Sequence, residues 1–255
     1  MVGVAGADID SQWSFVEQCC QPFQARLMQG GIHEHAQKEN GVPGYGLVEA
    51  EFLYCFIRSR RPKKIVQVGC GVSTAVIRLA AAEEGYKPEI VCIDPFPTAY
   101  LKRAAAEGAI TLIPQPAQEV DLAELTGLES GDLLFIDSTH CTLPGSEVNR
   151  VILEAMPRLK PGVQVHFHDI YFPYDYQSHL MYFLFFLGES SLLQAFLIGN
   201  KHCSIATSLS MLHHACPERL KSVFPRYQPL AMKDGLHAVP YGQGHFPSAT
   251  YLSVH

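Results

Sequence analysis

Gly69-Cys70-Gly71 closes a short β-branched run and opens a segment with helical spacing at Val72, Val76, Ile77, Leu79 and Ala80. Glycines let a backbone approach a ligand closely, and the free N–H groups of a first helical turn bind polar or anionic groups. A strand, a tight turn and a helix aimed over that turn make a cradle for something polar. About 20 residues further on, Asp94 ends a second apolar run, the place where an acid hydrogen-bonds ribose hydroxyls in nucleotide-type folds. The other reading of Asp94 is a helix cap. Three more groups stand at the ends of later runs: Asp137, with His140 three residues on, and the adjacent pair His168-Asp169.

The elements that must position these residues alternate along the chain. Strands are predicted at 65–69, 89–93, 110–113, 132–136 and 163–167, with helices at 73–84, 97–107 and 146–158 between them. Such alternation means a parallel sheet covered on both faces, and ligands bind beyond the carboxyl ends of its strands. Gly69, Asp94, Asp137, His168 and Asp169 all fall at those ends. This convergence is the strongest internal argument in the sequence. The loop 114–119 sits where an adenine edge would be read, which makes Gln118 a candidate contact. His166 alternates with His168 on one strand and is read as structural.

Around this block the pattern differs. Residues 1 to about 30 read as a helical lead, with Phe15, Val16, Cys19 and Cys20 on one face. The polar, glycine-bearing stretch 30–46 reads as a loop of the length used for lids, and its His33-x-His35 as solvated rather than metal-binding. The division expected is a helical lead with a substrate lid over 1–46 and a ligand-binding domain over 47–255. A helix is expected at 47–60, and an apolar helical region at 179–198 follows an aromatic loop of Tyr171, Phe172, Tyr174 and Tyr176. A strand at 202–207, a helix at 208–223 and a last strand at 248–254 complete the reading.

With 255 residues, 47% of them hydrophobic and 17% charged, the chain is long enough for one α/β domain with a full core. A net charge of -6 and a pI near 6.0 argue against nucleic acid as the main partner. The eight cysteines include no CxxC pair, and several lie in apolar runs, which suits buried thiols in a reducing cytoplasm. Met1 to Asp8 carries no basic stretch and no long apolar run, so no signal peptide is expected. The stretch 181–198 is interrupted by Gly188, Glu189, Ser190, Ser191 and Gln194 and makes a poor membrane span. Exposed apolar faces in 1–30 or 179–198 would serve a homodimer.

Gln67-Val68-Gly69-Cys70-Gly71-Val72-Ser73-Thr74, Leu134-Phe135-Ile136-Asp137-Ser138-Thr139-His140, and Lys160-Pro161-Gly162 followed by His166-Phe167-His168-Asp169-Ile170 resemble class I S-adenosylmethionine-dependent methyltransferases, in particular the group called methyltransferase family 24. The resemblance covers roughly residues 45–200 and, more faintly, the last strand. It implies an α/β, Rossmann-like, doubly wound seven-stranded sheet whose final antiparallel hairpin is built from 202–207 and 248–254. It places the methionine end of S-adenosyl-L-methionine on the Gly69–Gly71 turn, with Gln67, Cys70, Ser73 and Thr74 around it, and the ribose on Asp94. That first motif usually carries an acid where this chain has Gln67; an amide keeps the hydrogen bond but loses the charge attraction to the cofactor's ammonium.

The later strand ends resemble the divalent-metal site of catechol-type O-methyltransferases, whose ligand places fall here to Asp137, His168 and Asp169. A histidine in that set shifts preference from magnesium towards manganese, iron or zinc. In those enzymes a basic residue three positions after the first acid removes the substrate proton, and His140 holds that position. Two other readings stay open: Asp137 as a cofactor-orienting group, and His168 as a metal-free base oriented by Asp169. The favoured function is O-methylation of a small hydroxylated acceptor. The alternatives are metal-dependent oxidation on the same fold, or a cofactor-binding partner subunit without turnover, which Gln67 alone supports. Thr74 fits a nicotinamide dinucleotide fingerprint poorly, since Gly or Ala is wanted there.

Overall fold

The apolar strand at the centre of the chain is buried on both sides, and the architecture follows from that. The computed structural model describes residues 1–176, 187–230 and 244–255. In β1 (Lys64–Val68), Ile65 faces one core cluster and Val66 and Val68 the other, so the strand needs a layer of helices on each face. It lies between β2 (Glu89–Ile93) and β4 (Leu133–Ile136), parallel to both. Adding β3 (Thr111–Ile113), β5 (Gln164–Phe167), β6 (Cys203–Ser208) and β7 (Thr250–Val254) gives one seven-stranded sheet in the order β3-β2-β1-β4-β5-β7-β6. The first five strands are parallel, and β7 runs antiparallel to both β5 and β6. This is the doubly wound sheet with a terminal antiparallel hairpin that the sequence implies.

The first face is covered by the N-terminal helices α1 (Ile9–Cys20), α2 (Gln24–Gln29), α3 (Ile32–Asn40) and α4 (Leu47–Arg60), with α5 (Val72–Glu84) and α6 (Ala99–Ala106). Every residue of α4 from Val48 to Ile57 is buried, because the helix is sandwiched between the sheet and α1. Trp13, Val16, Cys19 and Cys20 of α1 are buried within the chain. The second face carries α7 (Leu122–Thr126), α8 (Glu147–Asn149) with its continuation to Arg158, and α9 (Glu189–Leu197). Two short helices, α10 (Leu209–Ala215) and α11 (Pro217–Val223), follow β6.

Three expectations need correction. The stretch 30–46 is not all loop, since α3 occupies Ile32–Asn40. Left-handed glycines bound it, Gly31 at φ 83° and Gly41 at φ 75°, and Ile32 and Ala36 bury one stripe of an otherwise polar helix. The helix expected at 208–223 breaks at Cys216, which has extended φ and precedes Pro217. The helix expected at 146–158 loosens into a π turn at Arg150–Ala155 and then a 3-10 turn. Of the helical region expected at 179–198, residues 179–186 lie outside the described residues, and helix is present from Glu189. All eight cysteines are free thiols, and no described helix is long and apolar enough to cross a membrane.

Candidate active site

The glycine turn is a junction between three strands. Gly69 donates its N–H to Ile93 O at 3.1 Å, and Asp137 donates to Val68 O at 2.9 Å. Gly69 sits at φ 80°, and a Cβ there would lie 1.7 Å from the carbonyl oxygen of Asp137. Only glycine fits, so the turn lets the ends of β1 and β4 approach closely. Beneath it, Gln67 is fully buried. The Thr74 hydroxyl donates to Gln67 Oε1 at 2.9 Å and accepts from the Gly71 N–H at 3.2 Å, and Gln67 Nε2 donates to Ser73 Oγ at 3.3 Å. Gln67 and Thr74 therefore brace the turn from inside.

Asp94 faces the turn from the end of β2. Its carboxylate accepts from Cys70 N at 3.2 Å and Phe96 N at 2.8 Å. The sequence offered ribose binding or a helix cap; the following helix is capped by Thr98, and Asp94 instead ties the turn to its own loop. A cleft of about 380 Å³ opens beside it, lined by Gly69, Asp94, Phe96, Gln118, Asp137 and Thr139 among others. A smaller cavity of about 160 Å³ lies on the other side of the turn, walled by Asn40, Gly44, Tyr45, Gly71, Ser73 and Asp137. Gln118 is thus in the larger cavity and Ser73 in the smaller, while Asp137 borders both.

Asp137 also opens a dense group of ionisable side chains. His168 Nδ1 lies 3.2 Å from Asp137 Oδ1 and 3.5 Å from Asp169 Oδ2. Neither approach is aligned as a hydrogen bond, so both buried ring nitrogens of His168 lack a partner among the described residues. His140 Nε2 lies 3.4 Å from Asp169 Oδ2 and 3.8 Å from Asp137 Oδ1. On its other side, His140 Nδ1 is 2.6 Å from Oε2 of the fully buried Glu189. Ser248 Oγ donates to the second oxygen of Asp169 at 2.8 Å, and the Ser248 N–H donates to buried Glu49 at 3.0 Å. His140 and Asp169 both adopt positive φ, 60° and 52°, a costly conformation for such residues that collects at working sites.

The charges reinforce one another. Burial works against charge on Asp137 and Asp169, but His168 beside them outweighs it and holds both pKa values below the carboxylate range. Burial likewise opposes charge on His168, and the two aspartates overcome it and raise its pKa. For His140 the raising partner is Glu189, again against burial. Glu49 and Glu189 move the other way, raised by burial itself. His166, on the same face as His168, stacks on Phe135 at 4.1 Å, lies 2.9 Å from the Tyr45 hydroxyl, and is pushed by burial to a pKa of about 3.

Several of these residues escape a reading of the sequence. Glu189 is distant in the chain from His140, and Glu49 from Ser248. The only signal for Glu189 is a charge inside the most apolar stretch, which demands a partner. Tyr45 and Asn40 enter through the strap after α3, where His33 Nε2 and Tyr45 O lie 2.8 Å apart. Asp137, His168 and Asp169 offer ligand atoms that all lie within 4.8 Å of one another.

Residues 66–170 match the family model described as a methyltransferase domain, in its family-24 branch. The matched segment, less than half of the chain, is similar to a methyltransferase domain. The match takes in the turn, Asp94, Gln118, Asp137, His140, His168 and Asp169, but neither α4 nor Glu189. A solved structure shares the fold of the chain. A Podospora anserina methyltransferase, PaMTH1, bound to SAH, is 15% identical over 92% of this chain and 94% of its own, with a TM-score of 0.51. A Staphylococcus aureus protein provisionally titled a caffeoyl-CoA O-methyltransferase is 13% identical over 78% and 93%, with a TM-score of 0.49. A branched-chain polyamine synthase variant from Thermus thermophilus is 15% identical over 92% and 63%, with a TM-score of 0.47. No curated protein matches the sequence.

Proposed function

We propose that the protein transfers the methyl group of S-adenosyl-L-methionine to a hydroxyl of a small acceptor, with a divalent cation beside the acceptor. One observation carries the reading: Asp137 borders the cavities on both sides of the glycine turn and belongs to the Asp137-His168-Asp169 cluster. A cofactor seated in those cavities would meet the charged cluster at that residue. The cleft with Asp94 and Gln118 suits the nucleoside. The smaller cavity, at the N-terminus of α5 and under the Asn40–Tyr45 strap, suits the methionine end.

The donor set fits a metal ion. Two carboxylates of depressed pKa converge with an imidazole whose buried nitrogens lack partners among the described residues. The nitrogen donor favours manganese, iron or zinc over magnesium. Such an ion would supply Lewis acidity that lowers the acceptor hydroxyl's pKa, and S-adenosylmethionine supplies an electrophilic sulfonium methyl. The residues of the chain do the rest. His140 presents Nε2 towards the cluster and takes the hydroxyl proton, while the Gly69 turn and Asp94 fix the orientation of transfer. The aromatic loop that follows Asp169, beginning at Tyr171, would wall the acceptor side.

Calorimetric titration with S-adenosylhomocysteine, repeated on His140→Ala, tests the reading. We expect one saturable site in both proteins, with turnover on a responsive phenol or catechol falling about 10²- to 10⁴-fold in the variant. Absence of binding in the wild type would overturn the function, and full turnover in His140→Ala would overturn the base.

A further inference from the structure

We propose that Glu189 is the positioning residue for His140, accepting the Nδ1–H so that Nε2 is left as the free base facing Asp137 and Asp169. The inference rests on the methyl-transfer reading for its kinetic consequence but not for its geometry. Glu189 stands at the start of α9 with no exposed surface, 2.6 Å from His140 Nδ1 through Oε2. Its other oxygen, Oε1, is buried without a hydrogen-bond partner among the described residues. A carboxylate is costly to bury, and an apolar side chain would pack the start of an apolar helix better. Among the described residues, the imidazole is the one side chain that compensates it.

The backbone is arranged for the same end. His140 is held at φ 60°, and its carbonyl accepts from both the Gly188 N–H at 3.0 Å and the Glu189 N–H at 3.3 Å. Cys141 and Leu187 form an isolated antiparallel bridge at the same place. The strained residue is therefore clamped from one side by the backbone and side chain of Glu189. An ionised carboxylate only accepts hydrogen bonds, so this contact selects the tautomer with its proton on Nδ1. Proton transfer then runs from the acceptor hydroxyl to Nε2, leaving an imidazolium whose charge Glu189 offsets.

Two measurements test this. The first is NMR of protein labelled with ¹⁵N-histidine, at a pH above the His140 titration. It should show His140 protonated at Nδ1 in the wild type and should lose that preference in Glu189→Leu. An Nε2–H tautomer in the wild type, or an unchanged tautomer in Glu189→Leu, would overturn the proposal. The second is a double-mutant cycle. Glu189→Leu should lower kcat about 10- to 100-fold with affinity for S-adenosylhomocysteine unchanged, and should have no further effect in His140→Ala. Glu189→Gln, nearly isosteric and still an acceptor, should lose less and serves if the leucine variant does not fold. An equal loss from Glu189→Gln in the wild-type and His140→Ala backgrounds would mean a merely structural role. If the wild type binds no S-adenosylhomocysteine, the methyl-transfer reading fails while the tautomer result still decides the role of Glu189.

Discussion

Replacing Gly69 by alanine is the smallest change that reaches both halves of the site. The added Cβ would stand 1.7 Å from the Asp137 carbonyl oxygen, against an ordinary contact of 3.4 Å or more, so the ends of β1 and β4 must part by 3.4 − 1.7 = 1.7 Å. The residue must also keep φ 80°, which costs an L-residue roughly 1–2 kcal/mol. Gly85 supplies the control, since it has φ 71° at the end of α5 and nothing within 4 Å of its added Cβ. Gly85→Ala should therefore lose only the backbone term, about 1–2 kcal/mol, and leave ligand affinity intact. Gly69→Ala should lose more stability. It should also weaken S-adenosylhomocysteine binding, and lower turnover by about 10²-fold or more, the scale set by misplacing reacting groups by an ångström. Thermal melts and calorimetry on the two variants give the comparison. If Gly69→Ala melts with Gly85→Ala and binds like the wild type, the close junction between turn and Asp137 is not what organises the site.

Two further outcomes follow from the geometry. Asp94→Ala removes both the acceptor for Cys70 N and the group set to meet ribose hydroxyls, so S-adenosylhomocysteine affinity should fall at least about 10-fold, by calorimetry. Wild-type affinity would remove Asp94 from the cofactor site. The buried His213, beside the Tyr227 hydroxyl at 2.6 Å, is pushed by burial to a pKa of about 4. The unfolded chain titrates this group near pH 6.5, so between pH 6.5 and about 4 it binds a proton that the folded protein refuses, and stability falls with acidification by up to about 1.4 kcal/mol per pH unit. His213→Gln should flatten the denaturation midpoint over that window, and parallel profiles would contradict the assignment.

What was legible in the sequence is what parallel sheets impose. Ile65, Val66 and Val68, or Leu133 to Ile136, must be apolar on both faces, so the runs are conspicuous and their carboxyl ends locate Gly69, Asp94, Asp137 and His168 without any contact being known. The helix α3 was not legible, because Ile32 and Ala36 are its only buried apolar residues and the rest reads as polar loop. Its effect on the site is considerable, since its end delivers Asn40 and the strap carrying Tyr45. The partners of the two buried glutamates were hidden for another reason. Glu189 meets His140 across 49 residues, and Glu49 meets Ser248 across 199, distances at which no spacing rule operates. Gln67 is the instructive case. Its motif position suggested a cofactor ligand, and its buried bonds to Ser73 and Thr74 make it a brace for the turn.

The most direct test of the central claim is a crystal structure grown with S-adenosylhomocysteine and Mn²⁺, with data collected to reveal anomalous scattering. The account predicts the nucleoside between Asp94 and Gln118, the amino-acid end under the Asn40–Tyr45 strap, and one anomalous peak bounded by Asp137, His168 and Asp169. S-adenosylhomocysteine bound elsewhere, or a fully occupied cofactor with no peak at that cluster, would contradict the joint cofactor and metal site.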